Sequence, residues 1–191
     1  MPATPRRIRS DALQNRARLL EVAAQVFAEQ GLDAAPAAIA KQAGVGVGTL
    51  YRHFPTREAL IDAAYRHQLT RVCEKAIELL ARHPGAEATR LWMAHFLDYA
   101  TAKSGMSAAL NAVIASGIDP YSDSHALLSG AVATLLEAGA RDGSLRTDVT
   151  PDDVLILMGG IAYSVQHGTK EQAGRLVDLF MDALTKGATA S

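Results

Sequence analysis

Ala43-Gly44-Val45-Gly46-Val47-Gly48-Thr49-Leu50-Tyr51-Arg52-His53-Phe54, running into Pro55-Thr56-Arg57-Glu58, decides the fold. Two helices joined by a short turn cross closely only where small residues fall at fixed offsets. Ala40, on a short helix spanning about residues 37–42, offers only a methyl at that crossing. Gly44, four residues on, suits a turn that needs positive φ. Val45 plugs the inside of the turn, and Leu50 and Phe54, four apart, face the preceding helix. The opposite side of the second helix carries Val47, Thr49, Tyr51, Arg52 and His53. The pattern is that of a helix-turn-helix, and its free face points to DNA.

The surrounding residues extend the match. Phe27-Ala28-Glu29-Gln30-Gly31, Ile39-Ala40, Ala43-Gly44-Val45, Gly48-Thr49-Leu50-Tyr51-Arg52-His53-Phe54 and Arg57-Glu58 occur in order. From about Arg16 to Leu60 the chain resembles the N-terminal domain of the tetracycline-repressor (TetR/AcrR) family of transcription regulators. The resemblance implies an all-α protein of about nine helices. A three-helix DNA-binding domain over residues 11–56 follows a basic flexible arm over 1–10 and precedes a helical effector-binding and dimerisation domain over 57–191.

Charge distribution agrees with this division. The formal net charge is −1. Residues 1–58 hold eight Lys/Arg against five acids, a balance of +3, so the remaining 11 bases and 15 acids give −4. A polyanion is thereby directed to the N-terminal part. Arg6, Arg7 and Arg9 either touch phosphates or a minor groove, or form a solvated terminus.

Helix punctuation continues along the chain. Ser10 or Asp11 caps a first helix that Gly31 ends. Thr56 caps a long fourth helix to about Arg82, carrying Leu60, Ala64, Leu69, Val72 and Leu79 as its apolar stripe; it would span roughly 40 Å. Further helices are expected near 86–103, 107–116, 123–141, 151–167 and 170–186. Thr150 and Pro151 start the eighth, with acids at its positive end. No apolar run reaches the ~20 residues of a membrane span, and no signal peptide is evident, so a cytoplasmic protein is expected. Cys73, the one cysteine, makes no internal disulfide; a buried helix position is preferred for it over a redox sensor, which needs an electropositive setting.

Residue roles follow from the resemblance. Gly48 lets the backbone approach a phosphate. Thr49 and Tyr51 offer hydroxyls to phosphate or base edges, His53 donates to phosphate, and Arg57 adds charge at the next helix start. Arg52 either reaches guanine or stays solvated. Where many relatives carry a serine and then a long polar residue, this chain has Gly46 and Val47; valine can touch a thymine methyl but makes no hydrogen bond. A palindromic double-stranded operator would be read by a homodimer joined through the helices near 151–167 and 170–186, where Val154, Leu157, Met158, Ile161, Val165, Gly159-Gly160, Leu176, Val177, Phe180, Met181 and Leu184 offer apolar surface.

An effector pocket for a small hydrophobic or aromatic molecule would be bordered by Trp92, His95, Phe96, Tyr99, Val113, Tyr121, Leu128 and Tyr163. Any one of these aromatics is equally an ordinary core residue, and a satisfied core role is preferred for His95. No catalytic residue, cofactor or metal is assigned. The chain lacks G-x-S-x-G, H-E-x-x-H and a P-loop, and His95-x-x-Asp98 is only a two-ligand fragment. A constitutive DNA binder without an effector is the main alternative, and a helical enzyme a remote one.

Overall fold

The computed structural model describes residues 5–185, with side chains over 14–165 and 168–185. Among these residues the protein forms α-helices and no strand: α1 (Pro5–Gln30), a 3-10 turn (Gly31–Asp33), α2 (Pro36–Ala43), α3 (Val47–His53), α4 (Arg57–Leu80), α5 (Gly85–Gly105), α6 (Ser107–Ala115), α7 (Ser124–Arg141), α8 (Pro151–His167) and α9 (Lys170–Thr185). One departure lies at the start. The backbone is already helical at Pro5, where a flexible arm was expected through residue 10, because proline fits the first turn of a helix and Arg, Ile and Ala continue it. The side chains of Arg6, Arg7, Arg9, Ser10 and Asp11 lie outside the described residues.

The chain divides into two compact units. The first holds residues 1–68 and 102–120, so it includes the end of α5 and all of α6; the second holds 69–101 and 121–191. The sequence reading assigned α6 to the body because periodicity reports a helix and not its neighbours.

In the first unit, α1 packs on α2, α2 on α3, and α6 on the 3-10 turn. Leu20, Phe27, Ile39, Leu50, Leu60 and Ile61 are buried there. Gly105 approaches Ala28 so closely that a Cβ on it would stand 2.6 Å from the Ala28 carbonyl oxygen. Arg66 pairs with Asp62 at 3.0 Å and donates to the Asp119 carbonyl at 3.0 Å, tying α4 to the loop after α6.

In the second unit, α7 packs on α8 and α8 on α9. The start of α5 meets α7 backbone to backbone at Gly85 and Gly139. The cap of α5 comes from far along the chain. The Asp142 carboxylate accepts from the Gly85 N–H at 2.7 Å, and the Ser144 hydroxyl accepts from the Ala86 N–H at 3.0 Å. Hydrogen bonds from Ser144 and Gly85 hold the Asp142 carboxyl below its ordinary range. The start of α8 is as its sequence implies: the Asp153 N–H donates to Thr150 Oγ1 and the Thr150 N–H donates back to Asp153, with Pro151 in the first turn.

The two last helices sort their apolar residues into two faces. Val154, Met158, Ile161, Val177, Met181 and Leu184, counted above toward a dimer surface, are buried within the unit. Their periodicity is that of an inward stripe. Outside stand Ile156, Gly159, Gly160 and Tyr163, exposed at offsets of three, four and seven along α8, with Leu157 beside them and Leu179 on α9.

Candidate nucleic-acid interface

α3 owes its position to the turn before it. Gly44 adopts φ 74°, its N–H donates to Lys41 O, and the Val45 N–H reaches back to Ala40 O at 3.0 Å, a pairing that satisfies the end of α2 with a left-handed residue. Gly46 then caps α3 in an extended conformation. Leu50 and Phe54 are buried on the inner side. Val47, Gly48, Thr49, Tyr51, Arg52 and His53 are all exposed. Six of the seven residues assigned to DNA thus lie together along one short exposed helix.

The seventh does not join them. Arg57 is half-buried, and its guanidinium donates to the carbonyls of Leu32 and, at 3.0 Å, of Ala34, with its Cζ 5.9 Å from the centre of the Phe27 ring. Its Nε is buried without a hydrogen-bond partner among the described residues. The guanidinium thus clamps the start of α4 to the 3-10 turn and the residue after it, and the phosphate contact expected of Arg57 would have to compete with these internal bonds. Sequence spacing placed the residue correctly at the helix start but could not reveal carbonyls lying more than twenty residues upstream. Arg57→Ala is expected to lower stability by about 1.5–3 kcal/mol, the range for hydrogen bonds to a charged group, and to leave the salt dependence of DNA binding unchanged. Thermal melts and binding isotherms over a salt series check this; a slope shallower by about 0.9 per lost contact would restore the phosphate role.

Arg16 lies close to the end of α3 as well. From α1 its guanidinium sits 5.6 Å from the Phe54 ring, at the end of α3, and the residue is exposed. At the start of α4, Thr56 Oγ1 accepts from the Ala59 N–H at 3.1 Å, as a helix cap should.

The residues assigned to an effector pocket scatter more widely. Trp92, Phe96 and Tyr99 are buried along α5, their rings 5.5 and 5.9 Å apart in sequence, and Trp92 Nε1 donates to Val72 O at 2.8 Å. His95 is exposed, so the core role preferred for it does not hold. Tyr163 is 64% exposed and belongs to the outer stripe of α8. Tyr121 and Leu128 are half-buried in the second unit, whereas Val113 is buried in the first. Cys73 is half-buried, and desolvation pushes its thiol up to about 11, against a redox role. Among the described residues no three His, Cys, Asp or Glu side chains converge as a metal would require, and no helix is long and apolar enough to cross a membrane.

A compact helix-turn-helix whose second helix buries Leu50 and exposes its outer face defines a DNA-binding protein. Residues 19–64 match the family described as bacterial regulatory proteins, tetR family, and residues 84–186 match the SbtR-like C-terminal domain of transcriptional regulators. The chain belongs to the TetR family of transcription regulators. Regulation of transcription, not catalysis, is the business of this family. The transcriptional repressor KstR2 of Rhodococcus jostii is 32% identical over 142 residues, covering 70% of this chain and 69% of that one. A crystallised TetR transcriptional regulator of Streptomyces coelicolor is 50% identical with a TM-score of 0.86, covering 89% of this chain and 98% of its own. Another, from Mycobacterium vanbaalenii, is 33% identical with a TM-score of 0.76, over 93% and 99%. The similarity to a Staphylococcus aureus HTH-type regulator, 44% over 54 residues, spans only 28% of this chain and 29% of that relative.

Proposed function

We propose that the protein is a one-component repressor that binds a palindromic operator as a homodimer and is released by a small hydrophobic or aromatic effector. The observation that carries the DNA half is the exposed row from Val47 to His53 on a helix whose inner side is closed by Leu50 and Phe54. Dimerisation is supported by the outer stripe of α8, which leaves Ile156 74% exposed and Tyr163 beside two glycines. The repressor reading is supported by the relative from Rhodococcus jostii. An effector would act by population shift, weakening operator binding only as far as it prefers the DNA-incompetent state. Its most suitable neighbours are Trp92, Phe96 and Tyr99.

One observation favours the constitutive alternative. Trp92 is fully buried with its only polar atom already bonded to Val72, as in an ordinary core. Two measurements decide. Selection of bound fragments from genomic DNA should return a twofold-symmetric site, and failure to enrich one removes the regulatory reading. An apolar compound should perturb the fluorescence of the sole tryptophan and release the operator over the same concentration range. A diverse screen producing neither response would leave a constitutive binder.

A further inference from the structure

The first turn of α3 contains two glycines that its own conformation does not require. Gly46 has φ −70°, and positive φ among the described glycines is confined to Gly31, Gly44, Gly117 and Gly143. Neither is demanded by packing. A Cβ on Gly48 would meet nothing within 4 Å, and one on Gly46 would make only ordinary contact with Thr49 Oγ1 at 3.8 Å. Alanine would fit sterically at both places; at the cap position 46 glycine is itself favoured over alanine, but at position 48, inside the helix, it is the less stable choice. The free protein therefore bears a penalty for empty space around its recognition turn.

Between those glycines stands Val47, 41% exposed and flanked on neither side by another side chain. Tyr51, four residues on, shares its face at 46% exposure. The turn presents one branched apolar group with the backbone bare on both sides, a shape that can press close to an apolar projection. In the major groove the thymine 5-methyl group is the apolar feature that distinguishes a base pair, and the other features are hydrogen-bond donors and acceptors that valine cannot use.

We infer that Val47 is a specificity-determining residue that reads a thymine methyl in each operator half-site, with Gly46 and Gly48 kept small to admit the base edge. The inference rests on the operator-binding function proposed above and names the base chemistry of that same site.

The test uses the full chain and the operator recovered by selection. Each thymine is replaced in turn by uracil, which removes only the methyl. One thymine per half-site should weaken binding about fourfold on replacement, the value of burying a single methyl-sized group. Replacing it in both half-sites should weaken binding about sixteenfold if the two contributions add. In Val47→Ala that uracil penalty should shrink to less than about twofold, while Val47→Thr, equal in shape, keeps a methyl for contact and retains part of it. Gly48→Ala should raise the melting temperature yet weaken operator binding. A strong operator with a flat uracil scan overturns this inference alone, as does an undiminished penalty in Val47→Ala. Recovery of no operator overturns the proposed function and this inference with it.

Discussion

Ile156→Arg should yield a folded monomer whose operator affinity is lower by at least about a hundredfold. The side chain is 74% exposed, so the single chain loses almost no packing when it is replaced. In a twofold contact, however, each patch meets its own copy, and an added cation would face another across an apolar surface. Gly159 and Gly160 sharpen the expectation, since a Cβ on either would meet nothing within 4 Å in the single chain, leaving room for a partner backbone. Loss of the dimer turns a two-headed grip into one-headed binding and forfeits the effective concentration that joins the second head to its half-site, typically worth 10²–10⁴ in affinity. Sedimentation velocity and titration of a full operator check both parts. A variant that stays dimeric with unchanged affinity would move the interface off the α8 stripe.

Gly85→Ala is expected to be among the most damaging small substitutions in the chain. The new Cβ would stand 2.3 Å from Gly139 Cα and 2.4 Å from its nitrogen, so the obstacle is backbone and no rotamer change relieves it. Overpacking of this kind costs typically about 1–3 kcal/mol and occasionally more; with main chain on both sides, the upper end or beyond is expected. Gly130→Ala, within α7, serves as the control, since it adds the same atom in open space and should be neutral or stabilising. Denaturant midpoints of the two variants measure the contrast. Equal midpoints would mean that α5 and α7 separate at little expense.

Much of this was legible from local chemistry. Gly44 and Leu50 announced the crossing of α2 and α3, and Thr150, Pro151 and Asp153 announced the start of α8, because caps and turns are written within a few residues. Roles that depend on distant partners were not legible. The place of Arg57 at a helix start suggests a phosphate ligand, but its bonds to the carbonyls of Leu32 and Ala34 depend on residues far upstream. Tyr163 was grouped with Trp92 as an aromatic, although one faces outward and the other is fully buried. The apolar residues of α8 and α9 were read as one surface, whereas helical phase divides them between the unit's own core and the exterior. Composition names a side chain's affinity for apolar surroundings but not whose atoms supply them.

The distant cap on α5 has a consequence for synthesis. The amides of Gly85 and Ala86 find their acceptors on Asp142 and Ser144, 57 and 58 residues later. As the chain emerges from the ribosome, α5 is complete well before either acceptor has been made. Its leading turn must wait on water until α7 has been extruded and the loop beyond it has swung back, so the start of α5 and the loop after α7 become fixed in the same late event.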